Sequence, residues 1–228
     1  MFALLLGLAV ASASMQPVAT LDSEASISGG GESWAPLISA DGRYVVFASR
    51  AVNLVGSSSN SPSIPQVNVY LRDRLEQSTV LVSVNISGQS GDGNSFPLDV
   101  STNGLRVLFE SSASNLVSGD TNGISDIFVR DISAGSTLLI SASTNGTPAN
   151  GVSRSPVLTP DGHYVAFVST GDNLVSGDTN GISDIFLRDL QTGTTVLVSA
   201  GAKSAGNTYE GTNSSENPQI TPDGRYVT

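Results

Sequence analysis

Short apolar runs alternate with stretches rich in Gly, Ser, Asn and Asp along almost the whole chain. Runs this short, bounded by turn residues, predict strands rather than helices. Leu37-Ile38-Ser39 and Tyr44–Ser49 flank Asp41-Gly42. Asp-Gly between two such runs predicts a tight hairpin, because Gly adopts positive φ without a steric penalty. In the middle of the chain a polar loop, Asn115–Ser125, leads to a strand at Ile127-Phe128-Val129. Ala134-Gly135 predicts the next turn, and Leu138–Ser141 the strand after it.

This pattern repeats. Asn115–Phe128, NLVSGDTNGISDIF, recurs unchanged as Asn173–Phe186, 58 positions later. The turns Asp41-Gly42, Asn103-Gly104, Asp161-Gly162 and Asp223-Gly224 are spaced by 62, 58 and 62 residues. Each unit therefore holds four short antiparallel strands. Units at roughly 34–84, 95–143 and 153–199 are complete, and a partial one occupies 218–228. A lone four-stranded meander cannot cover both of its faces, so copies must stack. The expected fold is all-β: a β-propeller of four-stranded antiparallel blades, about three complete and one partial, incomplete and open. A β-sandwich would not need near-identical units. A calcium-bound parallel β-helix has far shorter repeats.

The N-terminus differs from the rest. Phe2–Val10 is apolar and Ala11-Ser12-Ala13 follows, which predicts a signal peptide over 1–13, although no Lys or Arg precedes the run. The run is too short to span a bilayer, and no other segment approaches that length. Residues 14–33 form an N-terminal segment in which Val18–Glu24 is expected to supply the closing outer strand of the last blade. That expectation places the last blade beyond Thr228. The location implied is secreted, periplasmic or at the cell surface.

Composition narrows the function classes. The hydrophobic fraction of 39% is too high for a disordered chain. The net charge is −10, with only ten Lys and Arg. No basic face is available for nucleic acid or for an anionic membrane surface. The absence of cysteine excludes disulfides, thiolate metal sites and cysteine nucleophiles.

The repeated loop carries the candidate chemistry. In the second unit Asp120, Asn122 and Asp126 fall at alternate and near-alternate positions, with Ser118 ahead of them and the Ile124 carbonyl between. The third unit has Asp178, Asn180, Asp184, Ser176 and Ile182. Oxygen ligands so spaced around a Gly converge on a hard cation, so calcium is the candidate cofactor. The same residues are also the commonest turn formers, which cap their own backbone. Serine stands where a first carboxylate would be expected. The first unit offers Asn60 and Asn68 with no acid and should not bind. The recurring pairs Arg72-Asp73, Arg130-Asp131 and Arg188-Asp189 suggest a structural ion pair or turn contact. His163 is the only histidine, and no Gly-x-Ser-x-Gly elbow accompanies it, so no catalytic site is expected. Phe47, Phe109, Phe128, Phe167 and Phe186 fall on strands and are expected between blades, as is Trp34 just before its strand.

Pro156, Thr159, Asp161-Gly162, Phe167 and Ser169, followed by Asp184, Asp189 and Thr192-Gly193, resemble the WD-like propeller repeat of TolB-type proteins. The resemblance covers about residues 34–228. The second unit departs from it at Asn103-Gly104-Leu105, a change compatible with a hairpin. It implies a propeller that serves as a binding module or as the propeller half of a peptidase. The calcium-type loop alone is similar to nine-residue loops of integrin-type propellers. Together these imply a non-catalytic scaffold outside the cytoplasm that binds a protein, peptide or glycan. The alternatives are the propeller half of a larger secreted hydrolase and a calcium-rigidified surface protein.

Overall fold

The computed structural model describes residues 30–55, 66–200 and 216–228. The expected signal peptide, the Val18–Glu24 strand and Asn60 lie outside the described residues. Among the described residues, twelve strands form three separate antiparallel sheets. The first sheet holds β1 (Ser33–Ile38), β2 (Tyr44–Ser49), β3 (Asn68–Asp73) and β4 (Ser78–Leu81). The second holds β5 (Ser95–Val100), β6 (Arg106–Ser111), β7 (Asp126–Asp131) and β8 (Ser136–Leu139). The third holds β9 (Ser153–Leu158), β10 (Tyr164–Ser169), β11 (Asp184–Asp189) and β12 (Thr195–Leu197). Each sheet is a meander, with strands adjacent in chain order. The strand expected at Leu138–Ser141 begins and ends two residues earlier: the Ile140 N–H still bonds the Ile127 carbonyl in register, but the Ile127 N–H goes to the Ser141 hydroxyl and the ladder stops there.

The sheets fan out from one side. β5 approaches both β1 and β9, so the first strands gather at a hub and the last strands lie at the periphery. Each first strand is a sheet edge, which is where a proline without an N–H is tolerated. Pro36, Pro97 and Pro156 all sit there. A register shift interrupts each pairing near the proline or across from it. Pro97 lies one residue further from its turn than Pro36 and Pro156 lie from theirs. Its sheet shifts register between Pro97 and Asp99. Asp99 then reaches across the hub to accept the Leu158 N–H at 3.2 Å.

The middle strands are buried on both faces, and the core lies between sheets. Phe109 and Phe128 stack at 5.6 Å and pack with Val46, Val69 and Leu71 of the first sheet. Phe167 and Phe186 stack at 5.7 Å and pack with Leu108, Ile127 and Val129 of the second. The aromatic pair of each blade thus faces the preceding blade. Phe47 and Tyr70 form the same pair in the first blade, at 5.8 Å. Trp34 is half-buried, with the Arg50 guanidinium over its ring, and takes no part in these cores.

The hairpin turns dock the blades on one another. Gly104 has φ +68°, and a Cβ there would fall 2.0 Å from the Tyr44 ring of the preceding blade. Gly162 meets Arg106 and Gly224 meets Tyr164 in the same way. Four-stranded meanders stacked face to face around converging first strands are propeller blades.

Candidate functional site

The repeated loop ends at the first residue of the third strand in each blade. Asn68, Asp126 and Asp184 hold this position. Each accepts a hydrogen bond from a serine hydroxyl just past the fourth strand. Ser83 donates to Asn68 at 2.9 Å, Ser141 to Asp126 at 2.6 Å, and Ser199 to Asp184. The same serine oxygens accept the N–H of Val69, Ile127 and Ile185. This clasp closes the third and fourth strands of every blade. It works with a neutral Asn in the first, so the clasp itself does not require the charge of Asp126 or Asp184.

The remaining loop residues close the turn. Asn122 donates from its side-chain amide to Asp126 at 2.7 Å and to the Ala149 carbonyl at 3.0 Å. Its side-chain oxygen accepts the Ile124 N–H at 3.1 Å. Asn180 repeats this with Asp184 at 2.6 Å and the Ile182 N–H at 3.0 Å. Ser118 and Ser176 are exposed at the loop tips, whereas Ile124 and Ile182 are half-buried.

Asp120 and Asp178 complete each loop and are buried. Burial, together with the negative charge of Asp126 and a smaller contribution from Asp92, pushes the Asp120 carboxyl up to about 6. Burial and the charge of Asp184 raise Asp178 in the same direction, with Asp172 adding to it. Asp126 is also raised, chiefly by burial. No Lys or Arg forms an ion pair with these aspartates among the described residues. No three Asp, Glu, His or Cys side chains come close enough among the described residues to share a metal ion. A cation here would use two carboxylates, with the Asn side chain and backbone carbonyls supplying further oxygens.

The Arg-Asp pairs do not bond within themselves, because neighbouring strand residues point to opposite faces. Arg72, Arg130 and Arg188 each donate to a threonine on the fourth strand: Thr79 at 3.1 Å, Thr137 at 3.1 Å and Thr195 at 2.7 Å. The aspartates cap the turn that follows. Asp73 accepts the N–H of Leu75 and Glu76, and Asp189 those of Gln191 and Thr192. Arg43 also pairs with Asp73 at 2.6 Å and holds its carboxyl below the usual range. The His163 ring pairs with Asp161 at 3.2 Å and lies 3.4 Å from the Gln191 amide.

No protein-family model matches the chain, and no curated protein matches it. Among solved structures it is similar to TolB. The match to TolB from Acinetobacter baumannii has a TM-score of 0.47 and 18% identity, covering 88% of this chain and 38% of that one. The β-propeller domain of the Trilobed protease from Pyrococcus furiosus, described as having an open velcro topology, matches at 0.45 and 14% identity, covering 73% and 42%. A prolyl endopeptidase matches at 0.46 and 14%, covering 86% and 25%. The chain spans less than half the length of each of these three.

Two residues near the loops carry no spacing signal in the sequence. Asp92 bonds the Ser114 N–H and hydroxyl, both at 2.8 Å. In the next junction the acid sits on the other side of the same contact, where Asn150 donates to Asp172 at 2.6 Å. Asp92 precedes its loop by a long connector and Asp172 by only a few residues, so no shared interval marks them.

Proposed function

We propose that this chain is a non-catalytic scaffold working outside the cytoplasm, secreted, periplasmic or at the cell surface. It binds a protein, peptide or glycan through its loops, and the loops at Asp120–Asp126 and Asp178–Asp184 take up calcium. One observation supports the scaffold part above others: the polar side chains common to the repeats are engaged with one another. Serine holds Asn or Asp, arginine holds threonine, and aspartate caps its turn. The His163 imidazole faces a carboxylate and an amide rather than a hydroxyl nucleophile. Incubation with chromogenic esters and peptidyl anilides is therefore expected to give no hydrolysis above buffer. A rate that disappears in His163→Gln would end the scaffold proposal.

Calcium is supported by the electrostatics of the loop. Two buried carboxylates facing one another are strained by desolvation and like charge, and a divalent cation relieves both. The pH dependence follows from Asp120. Its folded pKa, about 6, lies above the ordinary carboxylate value, so the native state holds the proton more tightly. In chelator, stability contributed by this group is present at low pH and is lost as pH rises toward and through about 6. Asp120→Asn removes that penalty, and in chelator at pH 7.5 it is expected to stabilise by about 1–3 kcal/mol. In millimolar calcium the order reverses: the parent melts higher and the variant does not respond. Thermal melts of both proteins decide the point, and a parent with the same Tm in calcium and chelator would remove calcium from the account.

A further inference from the structure

The two blade junctions are built from equivalent residues but close differently. At the junction of the second and third blades, Arg188 donates to the carbonyls of Ala142 and Ser143 at 3.2 and 3.0 Å. Thr195 donates its hydroxyl to the Ala142 carbonyl at 2.6 Å and its N–H to the Thr144 hydroxyl at 3.0 Å. At the junction of the first and second blades the corresponding residues are Arg130, Thr137, Val84, Asn85 and Ile86. Among the described residues, the one side-chain hydrogen bond of Arg130 goes to the Thr137 hydroxyl. Ile86 stands where Thr144 supplies its hydroxyl, and the residue is 70% exposed. Val84 is also larger than Ala142. An apolar side chain cannot accept the clasping N–H. A cleft of about 460 Å³ lies between the blades here, its walls formed by Val84, Ile86, Leu116 and Val117 together with the polar Asn85, Ser118, Arg130 and Thr137.

We infer that this cleft is a binding site for the C-terminus of a peptide ending in an aliphatic residue. A guanidinium with unused donors beside aliphatic walls matches a carboxylate next to an apolar side chain. Burial pushes the Arg130 pKa down against the opposing charge of Asp131, so an anion arriving there compensates for hydration that the guanidinium has lost. In the third blade Nη1 of the equivalent Arg188 bridges the Ala142 and Ser143 carbonyls as well as the Thr195 hydroxyl, which ties the connector to the blade at that junction. The inference deepens the scaffold reading by naming a ligand, and it rests on that reading only in expecting binding without turnover.

The test is titration calorimetry of the full chain with acetyl-Ala-Ala-Leu bearing a free carboxylate and with the same peptide as its C-terminal amide. The acid is expected to bind and the amide to bind at least about tenfold more weakly, since the charge-assisted bond is lost. Arg130→Gln is expected to weaken the acid by a similar factor. Ile86→Thr supplies the missing hydroxyl, lets Arg130 reach the carbonyls, and is expected to abolish binding while raising Tm. Equal affinity for acid and amide, no binding of the acid, or full affinity in Arg130→Gln or Ile86→Thr would each overturn the site. Mass spectrometry of the peptide after incubation separates the two claims: a bound but cleaved peptide ends the scaffold reading and leaves the site standing.

Discussion

Gly104→Ala is expected to destabilise the protein by about 2–5 kcal/mol, well beyond the effect of Gly42→Ala. Both glycines occupy the same place in a repeated turn, with φ of +68° and +71°. Both variants must therefore carry a side chain in the left-handed region, which costs about 1–2 kcal/mol. Only Gly104 has a neighbour: its Cβ would overlap the Tyr44 ring, whereas nothing lies within 4 Å of the corresponding point on Gly42. The difference between the two variants isolates the docking of a turn on the preceding blade. Urea titrations followed by circular dichroism measure it. Equal losses for both variants would mean that the turn does not bear on its neighbour.

Phe128→Ala should lower stability by about 3–5 kcal/mol, the range for emptying a buried aromatic site. Phe128 is fully buried, stacks on Phe109 within its own blade, and packs on Val46 and Val69 of the blade before it. Its loss removes contacts on both sides of a junction, and stiff sheets cannot collapse into the space. Val80→Ala, on the partly exposed fourth strand of the first blade, is the matched control and should change stability by less than about 1 kcal/mol. A Phe128→Ala protein as stable as that control would contradict a core shared between blades.

Much of the fold was legible because each blade is made of local contacts. Asp-Gly and Asn-Gly turns, short apolar runs and a repeated 14-residue segment define hairpins whose partners lie close in the chain. The aromatic strand positions were legible for the same reason. The candidate loop was legible only in part. Its acids and Asn could be found by spacing, but the Asn side chains turn out to hold Asp126 and Asp184 by their amides. The adjacent Arg and Asp of each pair could be located, yet their partners could not, because alternation sends them to opposite faces. Asp92 and Asp172 were invisible, since each nears its loop through a contact between connectors more than twenty residues apart.

Strand number, turn position and the order of strands within each blade are properties of this sequence alone, because they depend on backbone preferences and on neighbours a few residues away. Which junction closes and which stays open was decided only in three dimensions. Arg130 and Arg188 lie in nearly identical segments, and they differ in what a distant connector brings to them: the Ala142 and Ser143 carbonyls reach Arg188 where the Thr144 hydroxyl accepts the Thr195 N–H, and Ile86 holds the place of Thr144 at the other junction. The elevated pKa of Asp120 is partly of the same kind: its main cause is burial, which only the folded structure supplies, whereas the charged Asp126 is its neighbour in the same loop and Asp92 adds a smaller contribution from a distant connector.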